Sequence, residues 1–301
     1  MGTMTDLSAL EPLPGGWSGR TFLAGAGEHR SVVRIYPPDH PIQAPLVQAA
    51  LLELVRDLLP VPRVLEVRRA DPATDQPGLL VTEVLPGERG DLVVPQLDEE
   101  GLARLGADVG RLAGTLGGMP TVRPGLFDDT DLRIVPFALA DDLEAWVEQH
   151  EWAFAEWSAG ERDGLREVAA RAQDLLDEVD RSCLVHSDLN PKNLLVDPET
   201  LQVTGLVDWE FAHSGHPATD LGNVLRFERE PAYVDAVLTA YTALRGDDRD
   251  ALLDRARAAD LWALVDLAAR AGQNPVTDRA AVLLRSIVGE RDLHAGLVGL
   301  L

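Results

Sequence analysis

Hydrophobic and polar positions alternate in two different ways along this chain, and the change falls near residue 86. Up to that point apolar residues come in short β-branched runs separated by turn residues. LPGGWSGRTFLAG (13–25) predicts a strand, a Gly-rich turn and a second strand, and after the GAGEHR turn SVVRIYP (31–37) predicts a third. PLVQAALLELVRDLL (45–59) places Leu46, Ala50, Leu51, Leu54 and Leu58 at helical spacing and stops before Pro60. VPRVLEVRR (61–69) and GLLVTEVL (78–85) predict two further strands, the second closed by Pro86-Gly87.

Beyond residue 86 the spacing is mostly that of amphipathic helices. EEGLARLGADVGRLAGTLGG (99–118), DDLEAWVEQHEWAFAEW (141–157) and REVAARAQDLLDEVD (166–180) each carry an apolar stripe, and helical patterns resume from Asp235 to the end. A β-rich interruption spans residues 183–209, where LVHSDL, NLLVD and VTGLVDW alternate with turns. These textures predict an antiparallel β lobe over residues 1–86, a larger helical lobe over 87–301, and a cleft between them. Clefts between domains are common small-molecule sites.

Composition narrows the function classes. With 46% hydrophobic and 26% charged residues over 301 positions, the chain reads as a soluble globular protein. No apolar run approaches the roughly 20 residues that span a bilayer. The N-terminus lacks the basic and apolar succession of a signal peptide. A single cysteine, Cys183, sits in the apolar stretch SCLVH and predicts a small buried hydrophobe, in keeping with a reducing, cytoplasmic setting. The net charge of −23 argues against nucleic acid as a partner. It suits either a solvated acidic surface or a cationic small substrate. Of the 27 basic residues 26 are arginine, and Lys192 is the one lysine. No protein partner is indicated.

The chemistry concentrates in HSDLNPKNLLVD (186–197) and LVDWE (206–210). Phosphoryl transfer to an alcohol needs a carboxylate to accept the hydroxyl proton and hard oxygen ligands for Mg²⁺. Asp188, Asn193 five residues later and Asp208 after an apolar strand offer a base, a carbonyl ligand and a second carboxylate. This set resembles the aminoglycoside phosphotransferase family, protein-kinase-like enzymes whose catalytic loop reads H-x-D-x-x-x-x-N and whose metal aspartate follows an apolar strand. The resemblance covers roughly residues 10 to 245. It implies an α+β fold of two lobes and Asp188 as catalytic base. It also implies Asn193 and Asp208 as Mg²⁺ ligands, His186 as a loop-holding residue, and Asp220 of HPATDLGN as a buttress of the catalytic loop. Lys192, between base and metal ligand, is expected either to reach the γ-phosphate or to face solvent.

The same resemblance assigns PGGWSGRTF to the nucleotide loop, with the backbone of Gly15, Gly16 and Gly19 and the hydroxyl of Ser18 approaching phosphates. Arg34 stands where kinases carry a phosphate-binding strand lysine. The expected helix glutamate falls near Gln48, with Glu53 one to two turns later, so the usual lysine–glutamate pair is not present as such. The segment TEVLPG (82–87) corresponds to the inter-lobe hinge, where backbone groups around Glu83, Val84 and Leu85 would meet the purine of ATP or GTP. Residues 141–156 carry Asp141, Asp142, Glu144, Glu148, Glu151 and Glu156 beside Trp146, Trp152 and Trp157. They read either as an acceptor-binding helix for an amine-bearing substrate or as an ordinary acidic helix with its tryptophans in the core. The expected activity is Mg²⁺-dependent transfer of a γ-phosphoryl group to an aminoglycoside or other cationic antibiotic. The alternatives are a metabolic kinase for an amino sugar, sugar or amino alcohol, and a nucleotide-binding protein without catalysis.

Overall fold

The computed structural model describes residues 10–13, 20–26, 29–138 and 140–296. In chain order the elements begin with β1 (Glu11–Pro12), β2 (Arg20–Ala26), β3 (His29–Ile35), α1 (Ala44–Val55), β4 (Val64–Arg68), β5 (Leu79–Glu83), β6 (Glu88–Arg89) and α2 (Gly90–Val93). There follow α3 (Glu99–Leu116), β7 (Pro120–Thr121), β8 (Leu126–Phe127), β9 (Ile134–Val135), α4 (Leu143–Gln149), α5 (Ala159–Asp177), β10 (Ser182–Val185), β11 (Leu194–Val196) and β12 (Val203–Leu206). The chain continues through β13 (His213–Gly215), α6 (Thr219–Leu225), α7 (Pro231–Arg245), α8 (Arg249–Ala269) and α9 (Pro275–Glu290). Two compact units result. The first is built from residues 1–96, 126–135 and 191–212, the second from 97–125, 136–190 and 213–301.

In the first unit the five-stranded sheet runs in the order β1-β2-β3-β5-β4, and all its pairs are antiparallel. The strands expected over RTFLAG, SVVRIYP, VPRVLEVRR and GLLVTEVL are present as β2 to β5, whereas the one expected to open at Leu13 lies earlier, at Glu11–Pro12, with residues 14–19 outside the described ones. Helix α1 opens with Pro45 in its first turn and buries Gln48, Leu51, Leu52 and Val55. It ends at Val55 rather than Leu59. Proline disfavours helical backbone in the residue before it, and Leu58 and Leu59 instead form a turn whose N–H groups both donate to the Val55 carbonyl. A small second sheet, β12-β11-β6, belongs to the same unit. Its Leu194–Leu206 register sets Asn193 opposite Val207, whose N–H donates to the Asn193 carbonyl at 3.0 Å.

The second unit is helical around a short sheet, β13-β10-β7. Its α3–α7 contact explains the glycines of LGADVGRLAG. Gly106, Gly110 and Gly114 recur every four residues along one helix face. A Cβ on Gly106 would come within 2.8 Å of the Tyr233 carbonyl, and one on Gly110 would run into the Val237 carbonyl. The helix backbones therefore meet without intervening side chains. Helices α4, α5, α8 and α9 enclose a core that includes Leu143, Val168, Leu264, Val265, Leu283 and Leu284. Cys183 is fully buried in β10, and burial pushes its thiol pKa up to about 12, so it behaves as a small hydrophobe.

Two helical expectations change. Helix α5 begins seven residues before Arg166, because Ser158 and Glu161 form a reciprocal capping box at its start. The acidic segment 141–157 is not one helix. Asp142 caps α4 by accepting from the Ala145 N–H at 2.8 Å, and α4 stops at Gln149. The His150 ring packs on Trp146 with Nδ1 2.8 Å from the Trp146 carbonyl, the acceptor that a continuing helix would offer to the His150 N–H. The His150 N–H turns to Val147 instead, and a short 3₁₀ turn over Glu151–Phe154 follows.

Candidate active site

In the second unit, β10 delivers the HSD motif at its end. Here His186 is fully buried. Asp220, in the first turn of α6, accepts the backbone N–H groups of His186 at 3.0 Å and Ser187 at 2.8 Å, one on each carboxylate oxygen. Burial pushes the Asp220 pKa up to about 6, against the lowering effect of those two donors. The His186 Nδ1 accepts from the Asp188 N–H at 3.3 Å. The Asp188 carboxylate is held by Asn190, whose Nδ2 donates to Oδ1 at 2.5 Å and to the Asp188 carbonyl at 3.2 Å. Asn190 was missed by motif reading, although an amide two residues beyond the base is visible in HSDLN.

In the first unit a cavity of about 430 Å³ is lined by Arg34, Gln48, Glu83, Leu85, Asn193 and Asp208 among others, with Lys192 at its wall. Strand β3 carries Arg34, and the β11–β12 register brings Asn193 and Asp208 to neighbouring strand ends. The Arg34 guanidinium donates to Asp208 Oδ1 at 2.6 Å and to Glu210 Oε2 at 2.5 Å. Burial works to lower its pKa, but these two carboxylates outweigh that effect and raise it above the ordinary value. Glu210 is the second residue that motif reading missed. Its signal is the second acid of LVDWE.

The residues expected from the sequence to form a hinge also meet this cavity. Glu83 and Leu85 line it together with Val84. The Glu83 side chain accepts from the Arg63 N–H at 3.1 Å, and the Glu83 N–H donates to the Arg63 carbonyl at 3.0 Å. Glu83 therefore spends its carboxylate and its N–H on the segment leading into β4. Gly87 follows with φ +114°, and a Cβ there would fall 2.5 Å from the Thr204 hydroxyl, so the turn after Leu85 and Pro86 requires glycine. Gly15, Gly16, Ser18 and Gly19 lie outside the described residues.

Backbone strain marks both motifs. Ser187 and Asp208 hold φ values of +64° and +67°, a region costly for side-chain-bearing residues and tolerated where the surroundings over-determine it. Neither position announces this in sequence. Both stand beside or at a residue that the motifs single out.

The donors available near Asp208 suit a hard cation. Asn193 and Asp208 offer an amide carbonyl and a carboxylate, and among the described residues no group of three or more His, Cys, Asp or Glu could hold a metal alone. Mg²⁺ is commonly bound by one or two carboxylates and completed by phosphate oxygens and water, so this set fits it.

Arg34, Lys192, Asn193, Asp208, Glu83 and Leu85 are thus gathered at one cavity of the first unit, while His186, Asp188 and Asp220 form one network in the second. Of the tryptophans in the acidic segment, Trp146 donates to the Trp262 carbonyl at 3.0 Å and packs on the core, and Trp157 packs against the same core with its ring on Phe154. Trp152 is 69% exposed, so it is not a core residue. Glu144, Glu148, Glu151 and Glu156 lie at least partly in solvent, as does Asp141.

Fold and motifs together place the chain in the two-lobed, protein-kinase-like fold class. The model of the phosphotransferase enzyme family matches residues 9–255, and the chain belongs to that family. Among solved structures, the chain is similar to a GDP and kanamycin complex of an aminoglycoside 2″-phosphotransferase, with TM-score 0.69 and 17% identity over 95% of this chain and 94% of that one. It is also similar to a thermostable aminoglycoside phosphotransferase in ternary complex with ADP and hygromycin B, with TM-score 0.64 and 19% identity over 94% of this chain and 92% of that one. At these identities the likeness establishes the fold. Acyl-CoA dehydrogenase family member 11 of Rattus norvegicus and of Mus musculus is 32% identical over 85 residues, 28% of this chain. That match spans only 10% of the length of those curated relatives. Among the described residues no helix is long and apolar enough to cross a membrane.

Proposed function

We propose that this kinase moves the γ-phosphoryl group of ATP or GTP onto a hydroxyl of a cationic small molecule, with an aminoglycoside or similar antibiotic as the leading acceptor class. The observation that carries the nucleotide part is the meeting of Arg34, Lys192, Asn193 and Asp208 with the hinge residues Glu83 and Leu85 around one cavity. In this reading the first unit takes the nucleotide, and the second supplies the base and the acceptor surface. The purine edge meets hinge backbone groups other than the Glu83 N–H, which Arg63 already holds. Asn193 and Asp208 would hold Mg²⁺, which when bound neutralises charge on the phosphates. Arg34 and Lys192 grip phosphate oxygens, and the backbone N–H groups of Gly15, Gly16 and Gly19 and the Ser18 hydroxyl are the further donors assigned to them from the sequence.

Asp188 takes the hydroxyl proton as the acceptor oxygen forms its bond to the γ-phosphorus. The bond from that phosphorus to the bridging oxygen breaks, and the nucleoside diphosphate leaves with the electron pair. Asn190 holds the base in place through its 2.5 Å bond, and Asp220 holds the loop that carries it. The net charge of −23 and the carboxylates of residues 141–156 support a cationic acceptor, because an acidic surface concentrates cations. A cytoplasmic location accords with the intracellular supply of triphosphate.

The test is consumption of ATP and of GTP against a panel of aminoglycosides, amino sugars, neutral sugars and amino alcohols. Transfer to the aminoglycosides alone, with a KM that rises with ionic strength, is the expected result. Turnover confined to neutral sugars would move the assignment to a metabolic kinase. Nucleotide binding without transfer to any hydroxyl compound would overturn catalysis itself.

A further inference from the structure

Helix α1 does not supply the counter-charge of the strand cation. At the position where a kinase helix would present glutamate stands Gln48, and it is engaged elsewhere. Its Oε1 accepts from the Tyr36 hydroxyl at 2.7 Å, with both residues buried. Tyr36 in turn lays its ring under Arg34, with the guanidinium carbon 5.4 Å from the ring centroid. The negative charge comes from the loop after β12. Asp208 meets one terminal nitrogen of Arg34, and Glu210 meets the other at 2.5 Å. The side chains of Arg34 and Glu210 are only 13% and 9% exposed, so their pairing is shielded from solvent.

One guanidinium thus spans two carboxylates, only one of which is assigned to the metal. We propose that Glu210 is the positioning residue of Arg34. It holds one arm of the guanidinium so that the other can leave Asp208 for a phosphate oxygen when the nucleotide binds. Tyr36, fixed by Gln48, keeps the guanidinium plane in place. The geometry behind this is the fork of arginine, which can serve two partners at once where a lysine ammonium presents a point charge. Without Glu210, Arg34 can close on Asp208 with both arms, and each nucleotide would have to break that tighter pair before using either residue. The proposal rests on the nucleotide-site reading above and adds a residue that acts through Arg34 rather than on the metal.

The experiment is calorimetry with ATP, GTP, adenosine and guanosine on the full chain, first in EDTA and then with Mg²⁺. The variants are Glu210→Gln, Arg34→Ala and the double variant. In EDTA, Glu210→Gln is expected to weaken triphosphate binding about tenfold, within the range measured for directly coupled side chains, and to leave nucleoside affinity within about twofold. In the Arg34→Ala background the same substitution should change triphosphate affinity by less than about twofold, since there is no guanidinium left to position. Glu210→Asp keeps the charge but draws the carboxylate back by one methylene. It should show a loss of the same sign, and it carries the test if Glu210→Gln does not fold. A loss seen only with Mg²⁺ would make Glu210 a metal ligand and overturn the proposal. So would full additivity of the two substitutions. Wild-type protein that binds nucleosides but gains nothing from phosphates would sink the Arg34 assignment, and protein that binds neither would sink the kinase reading itself.

Discussion

The Tyr36 hydroxyl donates to Gln48 Oε1 at 2.7 Å inside the first unit, where Tyr36 is 2% and Gln48 6% exposed. The pair ties strand to helix through a neutral hydrogen bond where a kinase would use an ion pair. Burial raises the Tyr36 pKa, so the phenol stays a donor throughout the working range of pH. A neutral bond of this kind contributes about 1 kcal/mol, while a charge left in the same place costs far more.

Gln48→Glu therefore separates two views of α1. If this position faces Tyr36, as the structure has it, the new carboxylate is buried beside a phenol and is not aligned with Arg34. We expect unfolding in denaturant to show a loss of about 1–3 kcal/mol at pH 8, with part recovered at pH 5 as the carboxyl protonates. A gain in stability together with tighter triphosphate binding would mean that a helix carboxylate can reach Arg34 after all.

Much of this architecture is legible in the sequence, because strands β2 to β5 and helix α3 follow plain periodicities and HSDLNPKN and LVDWE are long, ordered motifs. What is not legible depends on tertiary partners. His150 ends α4 through its own ring, although the apolar stripe runs on past it. The roles of Asn190 and Glu210 depend on where Asp188 and Arg34 come to lie, and neither spacing nor residue type fixes that. The positive φ angles of Ser187 and Asp208 occur at residues with no glycine to signal them.

The glycine seam of α3 gives a test independent of chemistry. A methyl at Gly110 would collide with the backbone of α7 at Val237, and backbone cannot swing aside as a side chain can. Gly110→Ala improves helix propensity by roughly 1 kcal/mol, yet overpacking typically costs about 1–3 kcal/mol. We expect a net loss in thermal stability. By contrast a methyl added at Gly160, in the first turn of α5, would meet nothing within 4 Å, and Gly160→Ala should be neutral or stabilising. Equal effects at the two sites would show that α3 and α7 do not meet backbone to backbone.

Asp188 and Asp208 should fail differently. Asp188→Asn keeps the shape and removes the proton acceptor, so turnover is expected to fall about 10²–10⁴-fold while Mg²⁺–nucleotide affinity stays within about threefold. Asp208→Ala removes a carboxylate that faces the cavity and pairs with Arg34, so Mg²⁺ should no longer strengthen nucleotide binding in calorimetry. Turnover of Asp188→Asn close to wild type would reject it as base. Unchanged Mg²⁺ dependence in Asp208→Ala would reject it as a metal ligand.

Around the start of α6 stand two groups, the half-buried His216 and the buried Asp220, whose titrations oppose each other. Burial, then the nearby Arg255 and Arg181, lower the His216 pKa from 6.5 to about 4. Its Nδ1 accepts from the Ala218 N–H at 3.1 Å, which requires the ring to be unprotonated at that nitrogen. Below pH 6.5 the unfolded chain binds a proton here that the folded chain does not, so stability falls as pH drops from 6.5 towards 4. Asp220 works the other way. Burial raises its pKa from 3.8 to about 6, so between pH 6 and 3.8 the folded chain binds the extra proton and acidification is favourable. Each contribution is on the order of 2–3 kcal/mol, and over the shared window they largely cancel. Single variants should expose them in difference curves, where contributions from other carboxylates subtract out. Relative to wild type, His216→Asn should gain stability steadily as pH falls from 6.5 to 4, and Asp220→Asn should lose it over pH 6 to 4. Asp220→Asn should also start lower at about pH 7, because the amide NH2 would replace one of the two oxygens that accept separately from the His186 and Ser187 N–H groups, setting donor against donor. Denaturant unfolding at several pH values decides the matter. Difference curves that stay flat would mean that neither group is held away from its ordinary pKa, and that the turn before α6 is more open to water than its packing implies.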